Sequence, residues 1–87
     1  MHYVYLLLSI KDNKWYTGYT NDLKNRILSH NSGKVQSTKQ RVPLKLIYSE
    51  CCHNMLDARA RERFLKSGPG KNYLKKRLKF FLTESGL

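Results

Sequence analysis

The sequence predicts a small α/β domain of the α+β type, with a three-stranded antiparallel sheet flanked by about three helices. Nearly every position from Tyr3 to Leu8 is apolar and β-forming, which is typical of a strand covered on both faces. Turn residues and a second β-rich run follow directly. Three later segments repeat apolar residues with the 3.6-residue period of a helix, which completes the prediction.

The first two strands are predicted near residues 2–9 and 14–19. Between them, Lys11-Asp12-Asn13-Lys14 supplies residues that favour a tight turn. Strands joined by so short a turn are antiparallel neighbours in the sheet. The hairpin therefore predicts that Tyr5 and Tyr16 lie on adjacent strands and open onto a common cleft.

The first helix is predicted over residues 23–31 and ends before Gly33, a suitable residue just beyond a helix. Asp22, Arg26 and His30 are spaced by four residues and therefore share one face of this helix. A solvated ion pair is one interpretation of that face. Because the helix directly follows the second strand, its first turns are expected over the two tyrosines, and this position favours a functional role.

The remaining elements follow a polar and basic loop over residues 34–43. A third strand is predicted near residues 44–49, where apolar and polar side chains alternate. A second helix is predicted from Asn54 and is closed by Gly68-Pro69. A last helix is predicted from about residue 70 to residue 83, with lysines along one face that are either solvated or directed at phosphates.

Glu62 occupies an unusual position in the second helix, because it falls in an apolar stripe with Ala58 and Leu65. A carboxylate within such a stripe is costly unless a partner compensates its charge. One explanation is a functional role, in which the carboxylate holds a metal ion. The other is a structural ion pair with Arg59 or Lys66 on the flanks of the same face. The spacing leaves both explanations open.

Charge points to a polyanionic partner. Seventeen Lys and Arg residues against six Asp and Glu residues give a formal net charge of +11 and a pI near 10.0. The basic residues are spread along the chain, so the charge is expected on a folded surface, with nucleic acid as the first candidate partner and an anionic membrane as the second. The 87 residues are expected to form one domain over residues 1–87.

The two cysteines are adjacent, and neighbouring residues rarely form a disulfide without strain. Cys51-Cys52-His53 lacks the second half of a zinc-ligand set. Reduced thiols, and hence a cytoplasmic location, are the expectation. The apolar run near the N-terminus is too short to span a bilayer and no basic segment precedes it, so neither a membrane nor export is expected.

The hairpin resembles a known family. Tyr3-Val4-Tyr5 and Tyr16-Thr17-Gly18 resemble the Gly-Ile-Tyr and Tyr-Ile-Gly tripeptides of the GIY-YIG nuclease superfamily, with two of the six motif positions changed. The order of hairpin, arginine helix, third strand and glutamate helix is similar to that domain from end to end, and looks like its small stand-alone bacterial members and the N-terminal nuclease domain of the excision-repair nuclease subunit. Tyr19 departs from the repair branch, where a lysine follows this glycine.

The resemblance implies catalytic roles for Tyr5, Tyr16, Arg26, His30 and Glu62. Arg26 suits a phosphate clamp, and one tyrosine, left open between the two, would orient or deprotonate the attacking water. Glu62 is the implied metal ligand for one Mg²⁺ or Mn²⁺ ion, since the six carboxylates of the chain form no cluster in sequence. The expected nucleic-acid contacts are Lys39, Arg41, Lys66, Lys71, Asn72 and Lys75.

The implied activity is metal-dependent endonuclease cleavage of DNA, duplex or branched, with low sequence specificity and a structure-selective role in repair or recombination. No protein partner is evident from the sequence. One alternative is a basic nucleic-acid-binding module that is catalytically weak. Another is a structural protein associated with RNA, but that function leaves Glu62 in its apolar stripe unexplained.

Overall fold

The computed structural model describes residues 1–84, and three antiparallel strands form its single sheet. The elements in chain order are β1 (His2–Ser9), β2 (Trp15–Thr20), α1 (Leu23–Asn31), β3 (Leu44–Cys52), α2 (Met55–Lys66), α3 (Gly68–Arg77) and α4 (Lys79–Glu84). The strand order is β2-β1-β3, so β1 is central and both later strands pair with it antiparallel. The predicted α/β class and three-stranded sheet are confirmed. Within the described residues, no helix has the length and apolar character needed to cross a membrane.

Strand β1 is buried on both faces, as its apolar run predicts. Val4 and Leu6 point to one side and pack in a cluster with residues of α2 and α3. Tyr5 and Leu7 point to the other side, where Leu44 and residues of α1 cover them. Alternate side chains of a strand face opposite sides, so a strand between two layers needs apolar residues at every position.

Helix α1 spans the predicted residues because its two ends are capped. The Asp22 carboxylate accepts a hydrogen bond from the Asn25 backbone N–H at 3.3 Å, which satisfies an unpaired donor of the first turn. Past the last turn, Gly33 has φ +77°, a left-handed conformation that glycine adopts without strain. These caps fix which helix face meets the sheet.

The helices after β3 differ from the prediction, because the structure has three of them where two were expected. Ser67 both ends α2 and caps α3, and its hydroxyl accepts from the Gly70 N–H at 3.2 Å. Gly68-Pro69 therefore begins α3 and does not close α2, since proline fits the first helical turn, where its missing N–H costs nothing. The predicted helix over residues 70–83 is divided at Leu78, where φ −108° and ψ 21° leave the helical range.

Strand β3 runs to Cys52, three residues beyond the predicted end. Its Glu50 side chain forms an ionic network with α2. The Glu50 carboxylate accepts two hydrogen bonds from the Arg61 guanidinium, at 2.8 and 3.0 Å. Tyr48 donates its hydroxyl to the same carboxylate at 2.7 Å, and burial together with this bond raises the pKa of Tyr48 to about 12. The Glu50 carboxylate therefore has a structural role, with Arg61 and Tyr48 as its partners.

Candidate active site

The two motif tyrosines lie on the same face of the sheet. In the register of β1 and β2, Tyr5 pairs with Gly18 and Leu7 pairs with Tyr16, so both rings project toward α1. Their centroids are 6.4 Å apart and the ring planes are tilted by 38°. The two rings therefore share one face of the sheet, as the hairpin predicts, but Tyr5 itself is buried and does not open to solvent.

Gly18 makes room for Tyr5. A Cβ atom at position 18 would overlap the Tyr5 hydroxyl and would lie 2.9 Å from Cε2 of the ring. Tyr5 lies across the backbone of the neighbouring strand and is 1% exposed. The glycine of the Tyr-x-Gly tripeptide is thus required by the packing of the other motif tyrosine.

Helix α1 brings Arg26 and His30 to Tyr5. The Tyr5 oxygen lies 2.7 Å from His30 Nε2, and Arg26 Nε–H donates to it at 3.4 Å. On its far side, His30 Nδ1 lies 2.7 Å from the Thr38 hydroxyl oxygen. Both His30 and Thr38 are fully buried. Four side chains thus form one hydrogen-bonded chain from Arg26 to the loop after α1.

The hydrogen-bond network links each ring nitrogen of His30 to a hydroxyl group. Arg26 can only donate, and among residues 1–84 the only other hydrogen-bond partner of the Tyr5 hydroxyl is His30 Nε2. With its proton on Nδ1, the imidazole accepts from Tyr5 and donates to Thr38, and with its proton on Nε2 it donates to Tyr5 and accepts from Thr38. The first tautomer is the one that lets Tyr5 pass its proton to His30.

Burial and the charge of Arg26 keep the His30 imidazole neutral, and burial favours the neutral form of the Tyr5 phenol. Burial, and secondarily the charge of Arg26, lower the pKa of His30 to about 4, so the imidazole is uncharged at neutral pH. Burial also raises the pKa of Tyr5, although the hydrogen bond from Arg26 acts in the opposite direction. At neutral pH the resting site therefore consists of a phenol, an imidazole and one guanidinium cation.

Tyr16 is the more accessible of the two tyrosines. It is half-buried, and its hydroxyl accepts a long hydrogen bond of 3.4 Å from the exposed Ser37 hydroxyl. Its ring meets His30 edge-on, with the centroids 5.1 Å apart. Tyr16 therefore presents a weakly engaged hydroxyl beside the Arg26–Tyr5–His30 chain.

Glu62 belongs to the opposite helical layer, because α2 packs on the Val4 face of the sheet. Its side chain is 12% exposed and forms ion pairs with Lys66 at 2.9 Å and Arg59 at 3.6 Å. Within residues 1–84, no hydrogen bond joins it to the tyrosine cluster. Its charge still reaches the cluster, since it is the weakest of the contributions to the raised pKa of Tyr5.

The residues expected to contact nucleic acid fall into two groups. Arg41 and Lys66 are paired in the fold, Arg41 with Asp12 at 2.6 Å and with the Trp15 carbonyl at 3.3 Å, and Lys66 with Glu62. Their charges are thus partly compensated by neighbouring carboxylates. The others have exposed side chains, namely Lys39, Lys71, Asn72 and Lys75.

Thr38 is the site residue that the sequence analysis missed. It lies in the loop over residues 34–43, which is polar and shows no period. The loop folds inward at Val35 and Thr38, three residues apart, and the Thr38 N–H donates to the Val35 carbonyl at 3.1 Å. Two β-branched residues at this spacing in a charged loop were the one available signal.

Comparison with known proteins gives one consistent result. The GIY-YIG catalytic domain family matches residues 1–77. The UPF0213 protein CPE1444 of Clostridium perfringens is 45% identical over 67 residues, which are 76% of this chain and 71% of the relative. The UPF0213 protein SH2523 of Staphylococcus haemolyticus is 41% identical over 75 residues, 85% of this chain and 90% of the relative. The solution NMR structure of the UPF0213 protein BH0048 from Bacillus halodurans superposes with a TM-score of 0.53 at 38% identity, covering 86% of this chain and 82% of that one.

Proposed function

Since the chain belongs to the GIY-YIG family, whose catalytic domain is a nuclease domain, we propose that it is a metal-dependent endonuclease acting on duplex or branched DNA. The observation that carries this proposal is the hydrogen-bonded chain of Arg26, Tyr5 and His30 beside the accessible Tyr16. A cation, an accessible phenol and a neutral imidazole side by side can supply the charge stabilisation and proton transfer that assist phosphodiester hydrolysis. Low sequence specificity is part of the proposal, because contacts from basic side chains to phosphates carry no sequence information.

Arg26 binds the scissile phosphate in this mechanism. Its guanidinium is half-buried and its hydrogen bond to Tyr5 raises its pKa further, so it stays charged at every relevant pH. A planar guanidinium pairs with two phosphate oxygens at once and stabilises the charge that develops in the transition state. The Tyr5 hydroxyl positions Arg26 by accepting its hydrogen bond, and Gly18 leaves the space that the Tyr5 ring occupies.

Tyr16 orients the attacking water, because its hydroxyl is the accessible one of the pair. Tyr5 is buried, and its oxygen is already engaged by His30 Nε2 at 2.7 Å. The charge of Arg26 is one of the two causes that lower the pKa of His30. A phosphate bound to Arg26 offsets that charge, so substrate binding is expected to raise the pKa of His30 and to favour transfer of the Tyr5 hydroxyl proton to Nε2.

Glu62 is the proposed ligand for a single Mg²⁺ or Mn²⁺ ion. Within the described residues no three His, Cys, Asp or Glu side chains are grouped to hold a metal, so Glu62 would be the one protein carboxylate to hold such an ion. The side chains that pair with Glu62 are about half exposed, 52% for Lys66 and 49% for Arg59, so Lys66 can turn to solvent, while the Arg59 guanidinium also stacks on the Tyr19 ring at 4.0 Å. Such an ion supplies charge neutralisation at the phosphate and an acidified water.

A second candidate function is a catalytically weak nucleic-acid-binding module. The ion pairs of Glu62 with Lys66 and Arg59 favour it, because they satisfy the carboxylate without a metal. Both functions predict DNA binding through the basic surface. Only the endonuclease predicts cleavage that depends on a divalent ion.

A plasmid-nicking assay with and without Mg²⁺ tests the proposal. We expect Tyr16→Phe and Arg26→Ala each to slow nicking by about 10²–10³-fold, the typical effect of removing one transition-state contact. The matched controls are Tyr73→Phe and Arg63→Ala, exposed residues of α3 and α2 outside the tyrosine cluster. Site variants that nick as fast as these controls would remove both residues from the mechanism, and a wild-type protein that binds DNA without nicking it would favour the binding module.

A further inference from the structure

A basic depression lies on the side of the sheet opposite to the tyrosine cluster. It has a volume of about 390 Å³ and is lined by the β1–β2 turn and by α3. The lining residues are Asn13, Lys14, Trp15, Lys71 and Lys75. Three lysines around one indole, with no carboxylate among the lining residues, make a surface suited to an anion that carries an aromatic group.

Among residues 1–84, the ammonium groups of the three lysines of this depression have no partner. Their side chains are exposed and, within residues 1–84, take part in no ion pair or side-chain hydrogen bond. In contrast, Arg41 and Lys66 are held by carboxylates of the fold. The charge at the depression is therefore available to an external ligand.

Trp15 is held in place by the fold and still reaches the surface. One part of its side chain packs against the buried cluster that includes Val4 and Leu6, while the rest lines the depression. An indole fixed at the edge of a core loses little freedom when a ligand stacks on it. Nucleic-acid bases stack on such aromatic platforms whatever their sequence.

The depression and the candidate active site share one edge of the sheet. Trp15 and Tyr16 are consecutive residues of β2, so their side chains point to opposite faces. Among residues 1–84, strand β2 is an edge strand, because only β1 pairs with it. A DNA strand with its phosphodiester at Tyr16 can therefore pass around this edge and place a neighbouring nucleotide against Trp15.

We propose that the depression binds an unpaired nucleotide of the DNA strand, with its base on Trp15 and the adjoining phosphates on Lys71 and Lys75. The ligand is single-stranded because a base inside a duplex has both faces covered by its neighbours. This inference rests on the proposed function for the identity of its ligand, DNA. It deepens that function, because a nucleotide site at the depression favours substrates with an unpaired segment beside the cleaved bond.

The test uses the fluorescence of Trp15, the only tryptophan of the chain. In EDTA, so that no cleavage occurs, the protein is titrated with an oligothymidylate of about 12 nucleotides and with an abasic oligonucleotide of the same length. Stacking of thymine on the indole is expected to quench the fluorescence, whereas the abasic strand is expected to bind without quenching. Equal quenching by both strands, or none by either, would overturn the inference.

A pair of lysine variants provides the matched control. Lys75→Ala is expected to weaken oligothymidylate binding, measured by anisotropy of a labelled strand, by about 5-fold or more relative to Lys76→Ala. Both residues are exposed on α3, but only Lys75 lines the depression. Equal losses in the two variants would show a diffuse electrostatic contact and would also overturn the inference.

Failure of this inference can be told apart from failure of the proposed function. Wild-type nicking without base-dependent quenching leaves the endonuclease in place and removes the nucleotide site. Base-dependent quenching without nicking supports the nucleotide site and removes the endonuclease. Tyr16→Phe, a variant of the catalytic cluster, is expected to retain the quenching, because its change lies on the other face of β2.

Discussion

Acid should destabilise this fold through His30 before any carboxylate titrates. The imidazole is fully buried, and its pKa is lowered to about 4 from the ordinary 6.5, first by burial and then by Arg26. A histidine with a lowered pKa binds its proton more readily in the unfolded chain. Stability is therefore retained above about pH 6.5 and falls as the pH drops from there toward 4.

The size of the effect follows from the two pKa values. Between pH 7 and pH 5, the difference in proton binding removes about 2 kcal/mol from the free energy of unfolding, at 1.36 kcal/mol per pKa unit. The lowered pKa values of Asp12, about 2, and of Glu50 act at lower pH, since those carboxylates lose their contribution only near and below their ordinary values of 3.8 and 4.5. The interval from pH 7 to pH 5 thus lies above the range in which these two carboxylates lose their contribution.

Urea unfolding at pH 7, 6 and 5 measures this change, and His30→Gln is the control. The variant should be less stable at pH 7, because it disturbs the bonds to Tyr5 and Thr38, but most of its pH dependence over this interval should be gone. Parallel pH dependence in the two proteins would refute the assignment of a buried, neutral His30. The proton path from Tyr5 to His30 would then lose its basis.

Three further results are expected. Thr38→Val should cost about 1–3 kcal/mol in urea unfolding and slow nicking, because it leaves His30 Nδ1 buried without a hydrogen-bond partner, whereas Thr38→Ser should restore both; equal behaviour of the two variants would contradict this. Gly18→Ala should cost about 1–3 kcal/mol in thermal melts by displacing Tyr5, while Gly68→Ala, whose Cβ meets no atom within 4 Å, should have a much smaller effect; similar losses would argue against the packing role of Gly18. Affinity for DNA should fall with salt at a log–log slope of about −0.9 per phosphate neutralised, and a flat dependence would mean that the charge of +11 serves another purpose.

Local patterns in the sequence predicted the elements that build the site. The apolar run of β1 and the four-residue spacing of Arg26 and His30 placed both tyrosines, the arginine and the histidine on one face. The caps of α1 were equally local. Each of these features depends on neighbours within a few positions, which is why periodicity and turn chemistry predict them.

Features that depend on distant contacts were not predictable in this way. Thr38 is placed at the candidate site because its loop folds back onto His30. Arg41 pairs with Asp12, which lies 29 positions away in sequence. Ser67 caps two successive helices, and no local pattern shows which of the two it ends or begins. Tertiary packing selects among local possibilities in each case.

The role of Glu62 could not be decided from the sequence for a different reason. Its two alternatives, metal ligand and ion pair, use the same helical spacing to Arg59 and Lys66, and the structure forms those pairs. An ion pair with half-exposed partners contributes little to stability, roughly 0–1 kcal/mol. A substitution of Glu62 is therefore expected to change nicking strongly if this residue holds the metal, and to change stability without changing nicking if it is only an ion-pair residue. This difference makes Glu62 the most informative position to test.

The most direct test is nicking by wild-type protein, Glu62→Gln and Glu50→Gln in Mg²⁺, with thermal melts in EDTA on the same preparations. We predict that Glu62→Gln binds DNA and melts like the wild type but does not nick. Glu50→Gln, which breaks the fork with Arg61, should lose about 1–3 kcal/mol of stability and still nick at a temperature where it is folded. Nicking at the wild-type rate by Glu62→Gln, combined with a lowered melting temperature, would contradict the account and make Glu62 a structural ion-pair residue.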